Sequence, residues 1–358
     1  MSKSCGLNTV TSFIASLLGE KENTVRQRLR EWYKGEEDKK GTQRAELEVS
    51  KCFKPLVNWV LSWWGSAEKR LALVMDASTL GEKFVVLAIS IVYRGCAIPV
   101  AWHLLPATEK GGWKEHWLTL FEQLEGAVPT DWTVVVMADR GLYARWLYQE
   151  IVRIGWHPFL RINTGGTYRL QNQHVFHPLS QVLPQKGEAP WSGQVTCFKT
   201  NPLDCTLLSR WDEDYTDPWL IITDLEPHQA DALWYALRPW IECGFKSTKR
   251  GGWQWQYTRM TDPDRANRLW LALSVATLWV LSVGGEAETA LPASSFEALP
   301  DTHIARRRKT KHSQPRFLSC FRRGILTIIA ALLSGNPLPL GRFLPLPWPS
   351  SSFPPPFT

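Results

Sequence analysis

The stretch "LALVMDAS", residues 71–78, is an apolar run that leads to a carboxylate, Asp76. Its length and composition predict a strand buried on both faces. A second stretch repeats the pattern, because "WTVVVMADRG", residues 132–141, leads to Asp139. Carboxylates are rarely placed at the edge of a core without a partner, so the two acids form a candidate site. Taken singly, each Asp could instead be a turn or cap residue that follows a strand.

The sequence between and after these runs predicts an α/β fold. Residues 84–105, "FVVLAISIVYRGCAIPVAWHLL", predict two strands joined by a turn near Arg94 and Gly95. Helices are expected at about 114–124 and 143–155, and "PFLRI", residues 158–162, predicts a further short strand. The order β-β-β-α-β-α-β describes a three-stranded meander that α/β crossovers continue into a mixed sheet flanked by helices.

The flanking regions differ in composition. Residues 161–223 are rich in Gly, Pro, Thr and Gln with strand-like pieces, which predicts a β-rich insertion. The sequence of residues 1–65 predicts helices. Their arginines belong either to a helix-turn-helix-like DNA-binding motif or to a helical cap with a solvated face. The apolar run at 269–283 is short for a membrane span and predicts a buried core helix. Beyond 284 a short apolar helix and Pro-rich text predict a partly disordered tail.

Charge and cysteine usage restrict the partner and the compartment. The chain has 358 residues, with 41 Lys and Arg against 34 Asp and Glu, and a formal net charge of +7. This balance favours nucleic acid as the partner, although a mildly basic enzyme would share it. The seven cysteines form no CxxC pair and no secretory signal is visible at the start, which favours a reduced, intracellular protein.

The stretch "YALRPWIECGFKSTKRGGW", residues 235–253, sets the single acid Glu242 among cations. At about 100° per residue, one helical stripe would carry a phenol, this carboxylate and three cations. Pro239 is expected to kink or restart the helix within that stripe. Surface ion pairing is the plain interpretation. The sharper one is a polyanion site whose scissile bond needs a metal held by the acid.

Three acids, Asp76, Asp139 and Glu242, are thus candidates to hold divalent cations. Mg²⁺ prefers oxygen ligands and keeps several waters, so a few carboxylates suffice. Two such ions about 3.5–4 Å apart activate the attacking oxygen and stabilise the leaving one in phosphoryl displacement.

At these positions the sequence resembles the bacterial insertion-sequence transposases of the DDE superfamily, in the branch named for a Tyr-Arg-Glu-Lys signature. That signature reads Tyr, two residues, Arg, three residues, Glu, six residues, Lys, and four residues match it without a gap: Tyr235, Arg238, Glu242 and Lys249. "MDAST" around Asp76 and "ADRGLY" around Asp139 are similar to the family's first two acid motifs. The resemblance covers roughly residues 70 to 283.

The resemblance implies a ribonuclease-H-like catalytic core at 66–160 and 224–283, interrupted by the β-rich insertion at 161–223. An N-terminal region at 1–65 would bind DNA, and a basic, Pro-rich region at 284–358 would follow the core.

The resemblance also implies roles for the candidate residues. Two Mg²⁺ or Mn²⁺ ions would be held by Asp76, which bridges both, by Asp139 and by Glu242. Contacts to DNA are implied for five residues, the extra cations Lys246 and Arg250 being less critical: Tyr235, Arg238, Lys246, Lys249 and Arg250. A tryptophan of the insertion, Trp211 or Trp219, would be a candidate to stack on a flipped base.

The implied activity is DNA transposition. Water would free a 3′-hydroxyl at the element's end. In relatives that cut and paste, this hydroxyl would attack the opposite strand to form a hairpin, water would open the hairpin, and the same hydroxyl would then attack target DNA. The implied partners are double-stranded DNA, namely the terminal inverted repeats and the target, and a second copy of the chain. The implied location is the bacterial cytoplasm, at the nucleoid, with no membrane as partner. Two alternatives remain: a catalytically silent DNA-binding protein derived from such an element, and a nuclease that cuts without joining.

Overall fold

The computed structural model describes residues 6–41, 44–109, 112–213, 215–290 and 318–350. Within these ranges one mixed ten-stranded sheet is flanked by helices. The strands are β1 (Arg70–Leu80), β2 (Phe84–Tyr93), β3 (Cys96–Pro106), β4 (Thr133–Ala138), β5 (His157–Arg161), β6 (Thr167–Leu170), β7 (His177–Pro178), β8 (Trp191–Cys197), β9 (Leu203–Arg210) and β10 (Trp219–Thr223).

The helices have the bounds α1 (Leu7–Leu18), α2 (Glu22–Trp32), α3 (Phe53–Ser62), α4 (Lys114–Leu124), α5 (Arg145–Arg153), α6 (Trp240–Thr248), α7 (Pro263–Thr289) and α8 (Cys320–Leu333). Four short 3₁₀ helices join them: η1 (Val49–Cys52), η2 (Leu179–Val182), η3 (Ala232–Leu237) and η4 (Trp255–Tyr257). The predicted mixed α/β architecture is therefore present.

The centre of the sheet is a meander followed by two crossovers. The strand order is β3-β2-β1-β4-β5-β10-β9-β8-β6-β7. β1, β2 and β3 pair antiparallel, whereas β1 pairs parallel with β4 and β4 pairs parallel with β5. The central strands are buried along most of their length, and their Val- and Ile-rich runs suit a layer covered on both faces.

The β-rich segment 161–223 does not form a sheet of its own. β10 pairs antiparallel with β5, and β9, β8, β6 and β7 continue outward from it. The segment is β-rich, as predicted, and it extends the core sheet. Its composition predicts the strands but does not show that the β5 edge is open to accept β10.

Helix α7 contains the apolar run at 269–283 and packs inside the structure. Of the described helices it is long and apolar enough to cross a membrane, but 67% of its most apolar window is buried in this fold. Gly284 allows a close crossing with α8, because a Cβ at this position would lie 2.0 Å from the carbonyl oxygen of Cys320. Gly324 on α8 faces the carbonyl oxygen of Val280 in the same way. The run is a core helix, as the sequence indicates.

The N-terminal helices α1 and α2 form a helical hairpin. Polar contacts connect this hairpin to helix α7. Gly19, in the left-handed conformation, ends α1. The Nε1 of Trp32 donates to the carbonyl of Arg268 at 3.1 Å, and the Arg268 side chain donates back to the carbonyl of Tyr33 at 3.0 Å. The arginines at 26, 28 and 30 are exposed, which suits a DNA reader and a solvated cap equally.

The tail is ordered where the structure describes it, contrary to the expectation of disorder for its Pro-rich text up to residue 350. Phe343 is fully buried, its amide donates to the carbonyl of Trp63 at 2.9 Å, and its carbonyl accepts from the amide of Gly65 at 2.7 Å. The guanidinium of Arg70 lies 4.6 Å from the ring centroid of Trp234 and 4.4 Å from that of Trp348.

The expectation of disorder up to residue 350 came from the proline content, which does not reveal that Phe343 and Trp348 pack against the core. The basic run at 306–312 and residues 351–358 lie outside the described residues.

We expect Phe343→Ala to lower the free energy of unfolding by about 3–5 kcal/mol, because it removes a fully buried ring. Leu340→Ala, a matched truncation of a side chain that is 72% exposed, should change it by less than about 0.5 kcal/mol. Urea denaturation of the whole chain measures both. Equal midpoints for Phe343→Ala and the wild type would mean that the tail does not anchor the core.

Candidate active site

The acids Asp76 and Asp139 are side by side because of the register of two parallel strands. The first five residues of β1 each pair with the β4 residue 63 positions later, from Arg70 with Thr133 to Val74 with Met137. The same offset separates the two acids. Partners in a parallel register direct their side chains to the same face, so both carboxylates lie on one side of the sheet.

Asp139 directly follows the end of β4, as predicted, but Asp76 lies inside β1 and not at its end. β1 continues to Leu80 because it still pairs with β2, where Asp76 is opposite Ala88. The pairing between β1 and β4 has already ended at Val74. The two strands therefore separate at the level of the acids, and this leaves a cleft between them.

The carboxylate of Asp139 is fixed by its own turn. Its Oδ1 accepts hydrogen bonds from the amides of Gly141 at 2.9 Å and Leu142 at 3.1 Å. This is the turn role that an Asp after a strand often has. The second oxygen, Oδ2, remains directed at the guanidinium of Arg238, so the turn role and the site role coexist in one side chain.

Glu242 enters the cleft from a helix that restarts at a proline. η3 ends at Leu237, Pro239 is the N-terminal cap residue of α6, and Glu242 is in the first turn of α6. The predicted restart at Pro239 is thus confirmed. Gly244 lets α6 approach β3, since a Cβ there would lie 3.0 Å from the Cβ of Ala97. A larger residue would push Glu242 away from the sheet.

The guanidinium of Arg238 contacts all three acids. Its Nη2 donates to Asp76 Oδ2 at 2.9 Å and to Asp139 Oδ2 at 3.1 Å, and its Nη1 donates to Glu242 Oε1 at 3.2 Å. The Arg238 side chain is only 10% exposed, whereas the Glu242 side chain is 52% exposed. One buried cation thus holds three carboxylates from three different elements.

Burial and neighbouring charges have opposing effects on the pKa values of the site residues. Burial raises the pKa of Asp76, the Arg238 guanidinium and the Ala77 amide lower it, and the neighbouring carboxylates of Asp139 and Glu242 raise it again, with a net upward shift. Burial also lowers the pKa of Lys249, whose Nζ donates to Ser78 Oγ at 2.7 Å. The site therefore disfavours charge on one acid and on one base.

The residues predicted to contact DNA are divided between surface and interior. Lys246 and Arg250 are exposed, and Lys249 is partly buried at the edge of the cleft. Tyr235 is 4% exposed, and burial raises the pKa of its phenol to about 12 while Arg238 and Arg161 lower it. Tyr235 is therefore not presented at the surface, and Arg238 is largely buried among the acids.

The two tryptophans considered for base stacking are not free surface rings. Trp219 is buried, with Tyr215 at 4.0 Å and Tyr235 at 5.1 Å between ring centroids. Trp211 is partly buried and donates its Nε1 to the carbonyl of Tyr215 at 3.2 Å. Sequence reasoning missed Arg161, which lies beside the Tyr235 phenol, and Ser78, which holds Lys249.

The acids and lysines line an open cleft of about 480 Å³: Asp76, Ala77, Ser78, Asp139, Arg238, Glu242, Phe245, Lys246 and Lys249. Its donor set is made of carboxylate oxygens, which suits Mg²⁺ or Mn²⁺. Among the described residues, however, no group of three or more Asp, Glu, His or Cys side chains surrounds a single point as metal ligands do. The three acids are instead arranged around Arg238. The chemistry of the donors fits the predicted ions, and Asp76, Asp139 and Glu242 are the residues that would hold them.

Comparison with known proteins gives little further information. No family model matches the chain, and no curated protein matches it. A crystal structure of human ENDOV is similar over 64% of this chain and 100% of its own, with 13% sequence identity and a TM-score of 0.25. A likeness at that level carries no conclusion about function.

We expect Asp76→Asn to gain stability relative to the wild type as pH rises. Because the pKa of Asp76 is raised in the folded state, the contribution of this side chain to the free energy of unfolding is fully present below the ordinary carboxyl pKa of 3.8. That contribution is lost as pH rises through the folded pKa. The uncharged Asn does not have this loss. Denaturation in EDTA at a series of pH values up to 7 measures the difference, with exposed Glu115→Gln as control. A difference that is constant or falls with pH would contradict the interpretation.

Proposed function

We propose that this protein is a metal-dependent DNA transposase that cleaves and joins strands at the ends of its own insertion sequence. One observation carries the proposal: Asp76, Asp139 and Glu242, which lie on separate elements, converge in one open cleft with cations at its edge. The positions are those of the Tyr-Arg-Glu-Lys signature and its two strand acids. A ribonuclease-H-like core, a homodimer on two DNA ends and a nucleoid location belong to the same proposal.

The side chains have distinct tasks in this reaction. Asp76, Asp139 and Glu242 would hold the divalent ions, which when bound would supply Lewis-acid stabilisation for the attacking and leaving oxygens. Lys246 and Lys249 line the same cleft and bind the flanking phosphates. Ser78 orients the ammonium of Lys249 through the 2.7 Å hydrogen bond. Asp139 keeps its orientation during the reaction because two backbone amides hold its other oxygen.

Arg238 has a role that changes with the charge of the cleft. It pairs with all three acids, and it is free to contact a phosphate only when another cation takes its place beside them. The same observation favours a second candidate, a silent DNA-binding descendant in which Arg238 pairs permanently with the acids. The two candidates differ in whether divalent ions give DNA products.

The test is cleavage of labelled duplex DNA that carries the sequences flanking the gene, with Mg²⁺, with Mn²⁺ and with EDTA. We expect the wild type to give nicked and joined products with metal alone. Glu242→Gln should slow product formation by more than about 100-fold, because even the loss of residues that only support a ligand costs about 10- to 100-fold. In EDTA, Glu242→Gln should bind the same DNA nearly as tightly as the wild type does.

Glu115→Gln is the matched control, since Glu115 is in the first turn of α4 as Glu242 is in the first turn of α6. It should leave cleavage unchanged. Products from Glu242→Gln at the wild-type rate would remove Glu242 from the site. Binding without products from the wild type in either metal would favour the silent descendant.

A further inference from the structure

The segment after α6 presents an exposed aromatic ring on a rigid support. Tyr257 ends η4 and is 75% exposed, more than any other Trp, Tyr or Phe within the described ranges. A single exposed apolar residue needs no explanation by itself. The support is unusual, because the neighbouring Trp255 is fully buried, with its ring 6.0 Å from Phe84 in a stacked orientation and 5.2 Å from Trp270 edge to face.

Backbone conformation and hydrogen bonds fix this segment further. Gln254, which precedes η4, has φ +57° and ψ +34°, a left-handed conformation that costs free energy for a residue with a side chain. Its amide donates to the carbonyl of Lys249 at 2.8 Å, and the amide of Gly251 donates to the carbonyl of Lys246 at 2.7 Å. The segment that carries Tyr257 is therefore bonded to the backbone of the two lysines that line the acid cleft.

The chain segment that contains Tyr257 is rich in cations, and two exposed acids, Asp262 and Asp264, follow it. Residues 246–260 contain four cations and no acid: Lys246, Lys249, Arg250 and Arg259. Lys83, on the turn between β1 and β2, donates to the carbonyl of Thr258 and adds a fifth cation. Glu82 is an exposed acid on the same turn. The balance favours a polyanion, and an exposed ring among cations suits nucleic acid, since bases stack on aromatic rings while cations bind the backbone.

We infer that Tyr257 is a stacking platform for an unpaired nucleotide of DNA beside the acid cleft. The inference rests on the proposed function for the presence of DNA in that cleft, and it adds a substrate class, namely DNA ends with unpaired bases. Paired bases within a duplex are covered by their neighbours, so a ring on the protein surface reaches the face of an unpaired base or the outer face of the last pair of a blunt end. A preference for extended over blunt DNA therefore distinguishes the unpaired base from the terminal pair. Because the segment is fixed in advance, little conformational entropy is lost when a base stacks on it.

The experiment compares two DNAs in EDTA: a blunt duplex, and the same duplex with a short single-stranded extension whose first base is 2-aminopurine. We expect the wild type to bind the extended DNA more tightly and to quench the 2-aminopurine fluorescence. Tyr257→Ala should weaken binding of the extended DNA by about five- to 150-fold, remove the quenching and leave the blunt duplex nearly unchanged.

Two further variants act as controls. Tyr257→Phe should keep both the preference and the quenching, because stacking does not need the hydroxyl. Arg250→Ala should weaken both DNAs alike and reduce the salt dependence of binding by about one counterion. Thermal unfolding should be the same for Tyr257→Ala and the wild type, since the ring that is removed is exposed.

The outcomes separate this inference from the proposed function, because binding in EDTA requires no chemistry. Equal losses for both DNAs in Tyr257→Ala, or unchanged quenching, would overturn the platform even if the wild type cleaves DNA with metal. The expected pattern together with no metal-dependent products would support the platform and count against the transposase. Failure of the wild type to bind either DNA would overturn both.

Discussion

The guanidinium of Arg238 is the contact on which the arrangement of the cleft depends. Three carboxylates carry three negative charges, and two like charges 4 Å apart repel by about 4 kcal/mol at the effective dielectric constant usual near a protein surface. Arg238 donates a hydrogen bond to each of the three carboxylates, at 2.9–3.2 Å. The sheet edge, the turn after β4 and α6 can therefore meet at one place. The pKa of Asp76 is nevertheless raised, chiefly because the carboxylate is buried.

The geometry of the sheet supplies the space in which this contact forms. β4 ends at Ala138 while β1 continues with β2, so the gap between them opens where the acids are. Gly244 then brings α6 close enough for Glu242 to reach the same gap. A cleft made in this way needs no mobile loop for its walls, because each acid is on or next to a regular element. Sites on such elements hold their side chains more accurately than sites on loops.

Much of this arrangement could be predicted from the sequence, for local reasons. The apolar runs before the two acids are long enough to identify buried strands, and α4 has the predicted bounds of 114 and 124. Pro239 predicts the helix restart, because its ring is incompatible with a continuous helix through this position. What the sequence could not show depends on distant partners. Asp76 is inside its strand because β2 pairs beyond it, and Tyr235 is buried because Trp219 packs against it.

The same limit applies to the tail and to Tyr257. Nothing in the Pro-rich text near residue 343 shows that a pocket beside Trp63 and Gly65 is open for Phe343. Likewise, "WQWQY" at 253–257 contains three aromatic residues, and sequence alone does not show that Trp255 is the buried anchor and Tyr257 the exposed ring. The alternation of aromatic and polar residues among cations is the signal that could have suggested a surface.

The position of Arg70 between Trp234 and Trp348 has a consequence for synthesis. Arg70 begins β1, Trp234 lies in η3 just before the site helix, and Trp348 is translated long after both. The strand that carries Asp76 and the helical segment that carries Arg238 can form while the chain is on the ribosome, but the side-chain stack that joins their starting points cannot. A chain interrupted before residue 343 would leave the ribosome with the buried site of Phe343 open to water, so incomplete products would expose apolar surface that the complete chain covers.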